Sequence, residues 1–390
     1  MEKLAENVLS WCSNLEPAAM AQVNNLAKHP CLVGNLCLMP DAHSGYGMPI
    51  GGVAALDNAI SPNMVGVDIG CGMLAVQTSL TDISTEKVKN IIDKIYDTIP
   101  LGFDHHETAQ QNPIFLDLER WNKTEVCKRE FFSAQKQIGT LGGGNHFIEV
   151  QKGSDGHIWF MIHSGSRNLG KQVAEYYNKQ AVKLCKMFRQ DEIVKNDLAF
   201  LPIGTKEAGA YILEMKLCLD FAYENRKMMA QTIKDIFRQE TPAEFIREIN
   251  IHHNYAAVEE HFGQKVWVHR KGATLARENT IGIIPGSQGT NSYIVQGLGN
   301  EASLQSCSHG AGRCMSRTKA VKDLDLKHEQ EILNRQGIVH RMNEQALLDE
   351  APSAYKNIDE VMANQADLVK ILVKLTPLGV VKALNERKRW

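Results

Sequence analysis

The sequence predicts an α+β fold, in which β-sheets are flanked by helices and a helical insert occupies about residues 171–250. Two observations lead to this prediction. Short apolar runs broken by Gly and Pro fill about 30–80, 140–170 and 265–320, which is typical of strands joined by tight loops. The stretch between the second and third of these regions instead has the apolar spacing of amphipathic helices. Nearly all glycine-flanked polar residues lie in the strand-and-loop regions, some before this insert and some after it. We therefore expect one unit spanning 1–390 rather than separable domains.

Several helices can be assigned from their apolar spacing or their ends. A helix is predicted at 85–98, where one face is formed by Val88, Ile91, Ile92, Ile95 and Tyr96. Within the insert, one helix face is formed by Tyr211, Ile212, Met215, Leu219 and Ala222. Residues 241–244, Thr-Pro-Ala-Glu, resemble a further helix start, since Thr can cap and Pro suits the first turn. The tail from about 356 to 374 is also predicted to be helical.

Composition sets limits on the class of protein. The chain has 390 residues, of which 43% are apolar, so it can bury a large core. The formal net charge is −2, so any nucleic-acid-binding surface must be local, for example in the basic clusters 269–271, 313–322 and 382–389. Neither G-x-G-x-x-G after a strand nor G-x-x-x-x-G-K-[ST] is present, which disfavours a doubly wound nucleotide-binding fold.

Cysteine usage and the N-terminus bear on location. The nine cysteines form no C-x-x-C pair, so neither a disulfide framework nor a zinc ribbon is indicated, and a reducing compartment is the simpler interpretation. The N-terminal segment carries acids and lacks the continuous apolar stretch of a signal peptide. No apolar run approaches the length that spans a bilayer. We therefore expect a soluble, cytoplasmic protein without a membrane partner.

Metal-ligating residue types recur beside glycines, where the backbone can approach a ligand closely. They are Asp41 and His43 in PDAHSGYG, Asp68 and Cys71 in VGVDIGCGM, Asn145 and His146 in GGGNHFIEV, His163 in HSGSR, His252 and His253 in HHNY, and His309 in CSHGAGR. A carboxylate and a thiolate three residues apart can hold two neighbouring metals with the sulfur bridging, and this ligand mixture suits Zn, Mn, Fe or Co. Taken singly, each signal also fits a buried core Cys or a loop His. Their joint occurrence in several Gly-rich turns favours a catalytic metal site.

A candidate nucleophile and a candidate anion-binding loop lie further along the chain. His309 has small neighbours that leave room for a bulky group, and histidine can act as a covalent nucleophile when a carboxylate holds its second nitrogen. The loop 283–292, IIPGSQGTNS, offers the backbone N–H groups and hydroxyls of an anion cradle. Taken alone, each segment is more simply explained as an ordinary loop.

Ten motifs in order resemble the RtcB family of RNA-splicing ligases. They run from about residue 38 to 360 and are PDAHSGYGMPIGG, VGVDIGCGM, GGGNHFIEV, HSGSR, HHNY, VHRKGAT, IIPGS, GLGNE, SCSHGAGR and AYKNID. The resemblance implies a GTP- and manganese-dependent ligase that joins an RNA 3′-phosphate or 2′,3′-cyclic phosphate to a 5′-hydroxyl. A histidine becomes guanylated, GMP moves to the RNA 3′-phosphate, and the 5′-hydroxyl then displaces GMP. The compact chain suggests a specialised paralogue.

The resemblance also implies roles for individual residues. His309 resembles the guanylated nucleophile, and Asp41 the carboxylate that orients it. Cys71 resembles the bridge between two Mn²⁺ ions, one completed by Asp68 and His146, the other by His163 and His253. The GTP-contacting segments correspond to Asn145, His146, Phe147, Ile148, Glu149, His253, Asn254, Pro285, Gly286, Ser287, Gln288, Ser292, His309, Gly310, Ala311 and Gly312. Lys382 resembles a C-terminal lysine that contacts the guanine, although Ala383 replaces the Gly common after it, and Gln288 replaces a common Met.

Two other function classes fit parts of this pattern. A metal-dependent hydrolase that opens RNA cyclic phosphates without ligation would share the metal site but need no nucleotide. A non-catalytic RNA-binding protein would need none of the putative ligands, all of which are present here. The physiological RNA, such as cleaved tRNA or rRNA, and the need for a helper protein stay open at this point.

Overall fold

The computed structural model describes residues 1–383, so most of the predicted basic cluster 382–389 lies outside the described residues. Seventeen strands are formed by β1 (Glu2–Ala5), β2 (Val8–Ser10), β3 (Leu32–His43), β4 (Ile50–Leu56), β5 (Ala59–Ile60), β6 (Gly72–Thr78), β7 (Phe147–Gly153), β8 (Ile158–Ser164), β9 (Leu201–Pro202), β10 (Phe245–His252), β11 (Asn254–His261), β12 (Gln264–Lys271), β13 (Ala273–Leu275), β14 (Ile281–Ile284), β15 (Ser292–Gly297), β16 (Ser306–Ser308) and β17 (Val369–Val381) within that part of the chain.

The described helices flank these strands. They are α1 (Pro17–Leu26), α2 (Pro62–Val65), α3 (Thr85–Thr98), α4 (Leu118–Asn122), α5 (Val126–Gln137), α6 (Arg167–Met187), α7 (Asp191–Lys195), α8 (Lys206–Glu240), α9 (Arg317–Asp323), α10 (Leu326–Arg335) and α11 (Ile358–Ala363). None of them is long and apolar enough to cross a membrane, within residues 1–383. The predicted α+β class is confirmed.

Two large sheets form the framework. One has six strands in the order β1-β2-β3-β4-β12-β11, and the other has seven in the order β10-β6-β8-β7-β17-β15-β14. The pairs β13-β16 and β5-β9 form two small additional sheets. Neighbouring strands are antiparallel except β2 and β3. Antiparallel pairing between strands that are far apart in sequence, such as β10 with β6, brings distant segments to one place, which is where the polar motifs lie.

Apolar faces of helices and sheets account for the main packing layers. Helices α6 and α8 pack with β3 and α1 in one cluster, while α3 and α8 cover one face of the seven-stranded sheet. The predicted helix at 85–98 is confirmed as α3, and its buried face consists of Val88, Ile91, Ile92 and Ile95. The hydroxyl of Ser84 caps it by accepting the N–H of Lys87 at 3.3 Å. The periodicity was therefore sufficient to predict this helix.

The prediction that the helical insert extends to about residue 250 is wrong. Helices α6, α7 and α8 occupy most of 171–250, but residues Phe245–His252 form strand β10, which pairs with β6. Thr241, predicted to start a helix, instead follows the last turn of α8, where both its N–H and its hydroxyl bond the carbonyl of Phe237. A Thr can hydrogen-bond the free backbone groups at a helix C-terminus as well as those at an N-terminus. Residues 245–252 form a strand because β6 offers an edge with free backbone N–H and C=O groups.

The prediction of a helix over about 356–374 is also mostly wrong. Only Ile358–Ala363 are helical, as α11, whereas Val369–Val381 form β17 between β7 and β15. This strand buries Val373 and Leu375 in an apolar cluster formed by residues from the strands of the seven-stranded sheet. Branched residues at alternate positions suit a pleated strand, and two long neighbouring strands supply the backbone partners that local spacing cannot show.

Candidate active site

Five side chains from four separate segments meet at the edge where β6, β7, β8 and β10 begin or end. Asp68, Cys71 and His146 form one group, and Cys71, His163 and His253 form a second, with the ligand atoms of each group within 4.8 Å of one another. Cys71 belongs to both groups. The structure therefore brings together all five residues predicted as metal ligands, with the sulfur between the two sets.

The distances within this cluster are short. Nε2 of His146 lies 2.9 Å from Oδ2 of Asp68 and 3.4 Å from Sγ of Cys71. Sγ of Cys71 is also 3.3 Å from Nε2 of His163, which in turn is 3.3 Å from Nε2 of His253. Thiolate, imidazole and carboxylate ligands that converge in this way suit Mn, Fe, Co or Zn.

A tight turn places Asp68 and Cys71 together. The N–H of Cys71 donates to the carbonyl of Asp68 at 3.1 Å. Gly70 has φ +74°, and a Cβ at this position would lie 3.0 Å from Cβ of Ala222 in α8. Only glycine combines this backbone conformation with such close packing, so the glycine is required for the carboxylate and the sulfur to face the same way.

Hydrogen bonds on the far side of two imidazoles fix which nitrogen faces the cluster. Nδ1 of His146 lies 3.0 Å from the carbonyl of Leu141, and Nδ1 of His163 lies 3.0 Å from the carbonyl of Asn145. A carbonyl only accepts, so each Nδ1 carries the proton and each Nε2 presents a lone pair. Lone pairs facing a sulfur and a carboxylate repel unless a cation or a proton lies between them, so these residues fit a metal.

Burial controls the protonation of the cluster. Burial lowers the pKa of His163 and of His253 well below the ordinary value, which keeps both imidazoles neutral. Burial raises the pKa of the Cys71 thiol well above its ordinary value. A bound divalent cation reverses this preference because it deprotonates a coordinating thiol. Metal uptake should therefore release a proton from Cys71.

His309 stands directly beside this cluster. It follows β16, and its ring centroid is 4.8 Å from that of His253. Nδ1 of His309 lies 2.6 Å from Oδ2 of Asp41, at ion-pair distance, although this contact does not have the direction of a linear hydrogen bond. Asp41 is fully buried, whereas the His309 side chain keeps 15% of its surface exposed. The structure thus brings together the predicted nucleophile and its predicted orienting carboxylate.

One of the segments predicted to contact GTP, the loop that begins at Pro285, lies next to the His309 segment. The loop from Pro285 lies against Gly310, since a Cβ on Gly310 would be 3.3 Å from the carbonyl of Pro285. The hydroxyl of Ser292 accepts the N–H of Gly286 at 3.1 Å, and the amide of Gln288 donates to the carbonyl of Glu350 at 2.7 Å. These bonds shape the loop, while Ser287 bonds Thr290 within it.

Three other predicted contact residues direct their side chains elsewhere. Ile148 and Ala311 are buried in apolar clusters, so only their backbones are available to a nucleotide. The amide of Asn254 donates to the carbonyl of Asp68 at 3.0 Å and accepts the N–H of Gly272 at 2.7 Å. Asn254 therefore supports the turn that carries Asp68 and Cys71. Gly312 packs against the backbone of Asp41, where a Cβ would be 2.3 Å from its carbonyl oxygen.

A buried carboxylate organises the cations beside this site. Glu350 accepts from Nη1 of Arg313 at 3.1 Å and Nζ of Lys382 at 3.1 Å, and Nε of Arg317 is 3.3 Å away. Burial alone would raise the pKa of Glu350, but Lys382, Arg317 and Arg313 outweigh it and lower the pKa to about 2. Arg317 also lies 3.4 Å from Oδ1 of Asn145, which links these cations to the GGGNH loop.

Lys382 also contacts the GGGNH loop, and Glu149 lies in β7, which follows that loop. Nζ of Lys382 donates to the carbonyl of Gly144 at 3.1 Å and sits 5.5 Å from the ring centroid of Phe147. Burial raises the pKa of Glu149 to about 8, against the opposing charge of Lys382. The sequence predictions did not include Glu350, because the segment LLDEAP has no glycine beside its acids and reveals its burial only in three dimensions.

Comparison with known proteins agrees with this geometry. The family model described as tRNA-splicing ligase RtcB matches residues 22–126 and 115–383. The chain belongs to the RtcB family. It is 37% identical to the RNA-splicing ligase RtcB of Escherichia coli strain K12, over 94% of this chain and 95% of that protein. It is 31% identical to the tRNA-splicing ligase RtcB of Pyrobaculum aerophilum, over 88% of this chain and 87% of that protein.

A third relative shows the same extent of similarity. The RNA-splicing ligase RtcB of Mycobacterium tuberculosis is 31% identical, over 93% of this chain and all of that protein. The RtcB match therefore covers Asp41, His309 and the candidate ligand cluster, together with every strand from β3 to β17. The family resemblance of the ten ordered motifs is confirmed.

Proposed function

We propose that this RtcB protein is an RNA ligase that joins an RNA 3′-phosphate or 2′,3′-cyclic phosphate to a 5′-hydroxyl, with residues 1–390 acting as one catalytic unit. The observation that carries the proposal is the position of His309. This histidine lies 2.6 Å from a buried carboxylate on one side and makes an edge-to-face ring contact with a candidate metal ligand, His253, on the other. Proteins that are similar to this chain over nearly its whole length are named as RNA-splicing or tRNA-splicing ligases.

His309 is the nucleophile in the first step. Because Asp41 is next to Nδ1, the free nitrogen is Nε2, which attacks the α-phosphorus of GTP. A nitrogen–phosphorus bond forms, the bond from the α-phosphorus to the bridging oxygen breaks, and pyrophosphate leaves. The proton of the neutral ring stays on Nδ1, where Asp41 stabilises the positive charge that develops.

Two transfers then follow. An oxygen of the RNA 3′-phosphate attacks the same phosphorus, the nitrogen–phosphorus bond breaks, and GMP becomes attached to the RNA end. The 5′-hydroxyl of the second RNA loses its proton to solvent as it attacks the phosphorus of the original 3′-phosphate. The bond from this phosphorus to the bridging oxygen breaks, a phosphodiester forms and GMP leaves with that oxygen. A 2′,3′-cyclic phosphate is first hydrolysed to the 3′-phosphate.

Two Mn²⁺ ions are proposed for the ligand cluster. Asp68, Cys71 and His146 would hold one ion, and Cys71, His163 and His253 the other. Their role is to neutralise charge on the reacting phosphates. Two observations support this assignment: His163 and His253 are neutral, and lone pairs of the cluster face one another. The rest of the assignment is carried over from the family.

Cations outside the cluster are proposed to bind the nucleotide and RNA. Arg313, Arg317 and Lys382 carry three positive charges against the carboxylates of Glu350 and Asp349, which leaves a net positive charge beside Asn145. The segments Asn145–Glu149, Pro285–Gln288, Ser292 and His309–Gly312, with Lys382 at the guanine, complete the proposed GTP site. A broken tRNA or rRNA is the proposed RNA, with a helper protein for turnover.

Intact mass of the chain after incubation with GTP and Mn²⁺ tests this function. We expect one guanylyl group on the wild type and none on His309→Asn. His328→Asn, which changes a histidine of α10 away from the site, should become guanylated like the wild type. A wild-type chain that never forms the adduct, yet opens cyclic phosphates without GTP, would overturn the ligase proposal and support the hydrolase.

A further inference from the structure

Two adjacent polar side chains in the middle of α8 are fully buried behind the ligand cluster. Asn225 and Arg226 both have no exposed surface. An amide and a guanidinium lose much solvation energy when buried, so they are retained only where their donors and acceptors find partners. Nearly all the partners of these two residues lie in the segments that carry the candidate metal ligands.

Arg226 contacts the chain neighbours of three ligands. Its Nη1 donates to the carbonyl of Gly70 at 3.0 Å and to that of Ser164 at 2.9 Å. Its Nη2 lies 3.2 Å from Nδ1 of His252. The contacted residues stand immediately next in sequence to Cys71, His163 and His253. One planar guanidinium therefore connects three segments of the chain, two through backbone carbonyls and one through the His252 side chain.

Asn225 connects the same helix to the fourth ligand. Its Oδ1 accepts the N–H groups of Gly139 at 2.7 Å and Thr140 at 3.1 Å. Its Nδ2 lies 3.2 Å from the hydroxyl of Ser164, and that hydroxyl donates to the carbonyl of Leu141 at 2.8 Å. The carbonyl of Leu141 is also the one that Nδ1 of His146 contacts. Asn225 therefore determines where this carbonyl points.

The buried charge of Arg226 is not explained by packing. No carboxylate lies at ion-pair distance from its guanidinium within residues 1–383. A buried cation without such a partner is costly, and an apolar side chain of similar size would fill the space with less loss of solvation. Its remaining bond, from Nε to Oδ1 of Asn250 at 2.7 Å, also lies in the strand that leads to His253.

We propose that Asn225 and Arg226 are positioning residues that hold Cys71, His146, His163 and His253 in one arrangement before a metal binds. Residues that orient metal ligands from behind change metal affinity by about 10- to 100-fold when altered. The inference rests on the proposed metal site. It means that one helix fixes the relative positions of four ligand segments that lie far apart in sequence.

Mn²⁺ affinity and the absorption spectrum of the Co²⁺-loaded chain test this inference, because neither depends on ligase activity. Arg226→Lys keeps the charge but loses the planar fork, and Asn225→Asp keeps the shape but loses both amide donors. We expect each to weaken Mn²⁺ binding about 10- to 100-fold and to shift the Cys71-to-cobalt charge-transfer band. Where either variant does not fold, Ser164→Ala removes the intermediate hydroxyl, with about tenfold weaker binding expected.

Glu214→Gln is the matched control on the same helix. Glu214 is equally buried, but it accepts the N–H groups of Val126 and Cys127 at the start of α5, together with the hydroxyl of Tyr177. Its variant should bind Mn²⁺ within about twofold of wild type, and the unfolding temperature of each metal-free variant shows how far stability alone contributes.

The outcomes separate the two proposals. Wild-type affinity and an unchanged cobalt spectrum in Arg226→Lys and Asn225→Asp would overturn the positioning role and leave the metal site standing. An equal loss of affinity in Glu214→Gln would also overturn it, because general destabilisation would then be sufficient. A wild-type chain that binds neither Mn²⁺ nor Co²⁺ would overturn the metal site itself and this inference with it.

Discussion

Oδ2 of Asp41 lies 2.6 Å from Nδ1 of His309 and also accepts the backbone N–H of the same residue at 3.1 Å. The N–H of Gly310 reaches this oxygen at 3.2 Å. One buried carboxylate oxygen thus holds both the ring and the backbone of the proposed nucleophile. The backbone contacts resemble a cap on the loop after β16, so Asp41 has a structural as well as an electrostatic role.

Asp41→Asn should slow guanylylation of His309 by about 10²- to 10⁴-fold, the usual range for a lost proton-transfer or charge-stabilising partner. The amide retains the size of the side chain but can neither stabilise a positive ring nor hold one tautomer. Adduct formation followed by intact mass over time gives the rate. Mn²⁺ affinity should be unchanged, since Asp41 is outside both ligand groups. A rate within threefold of wild type would refute the orienting role.

Cys71→Ala should abolish most of the stabilisation that Mn²⁺ confers, because both ligand groups lose their shared sulfur. A ligand at about 100 times its dissociation constant stabilises the folded state by about 2.7 kcal/mol. Unfolding with and without Mn²⁺ measures this difference. Cys218→Ala is the control, since Cys218 is equally buried in α8 but belongs to neither group. Equal Mn²⁺ stabilisation in both variants would contradict a bridging sulfur.

Glu350→Gln should destabilise the folded chain by about 3–5 kcal/mol at pH 7, because it leaves three buried or half-buried cations without their carboxylate. The pKa of Glu350 is lowered from 4.5 to about 2, so its stabilisation is complete above pH 4.5 and is lost as pH falls towards 2. Urea unfolding at a series of pH values should show the wild type and variant converging in that window.

Glu331→Gln provides the control for this change. Glu331 pairs with Arg335 at 3.0 Å on an exposed helix face, where an ion pair contributes about 0.5 kcal/mol or less. A loss of stability in Glu350→Gln no larger than in Glu331→Gln would show that the buried cluster is compensated in another way.

Glu149→Gln should remove a pH dependence of stability. Burial raises the pKa of Glu149 from 4.5 to about 8, so the folded chain keeps a proton that the unfolded chain releases between these values. Stability should therefore fall as pH rises from 4.5 to 8, by a few kcal/mol at most, and level off above 8. The metal-free variant should gain stability relative to wild type between pH 5.5 and 8.5 in urea unfolding.

The exposed Glu260→Gln in β11 is the comparison for that measurement. Its stability relative to wild type should not change across the same pH range. A wild-type curve parallel to that of Glu149→Gln would mean that Glu149 is ionised at neutral pH in the folded chain.

Much of the candidate site could be predicted from the sequence because its residues stand beside glycines in ordered motifs. Asp68 and Cys71 are three residues apart, so one turn is enough to bring them together. Helix α3 was predictable for a similar reason, since its apolar face repeats within a single segment. Local spacing carries information about local structure and about residue chemistry.

Strands β10 and β17 could not be predicted in this way. Their residues have apolar spacing compatible with either helix or strand, and the outcome depends on whether a neighbouring strand offers backbone partners. β10 pairs with β6, which lies more than 160 residues earlier, and β17 is placed between β7 and β15. Such partners are properties of the assembled sheet.

The sequence by itself determined the family, the set of ligand-type residues and the candidate nucleophile, because chemistry resides in residue types and their order. Only the tertiary structure decided that Glu350 lies among three cations and that Asn225 and Arg226 lie behind the candidate ligands. Asn225 bonds Gly139 across 86 residues and Arg226 bonds Gly70 across 156. Burial and long-range hydrogen bonding create these roles, and neither has a signature in the residues that flank them.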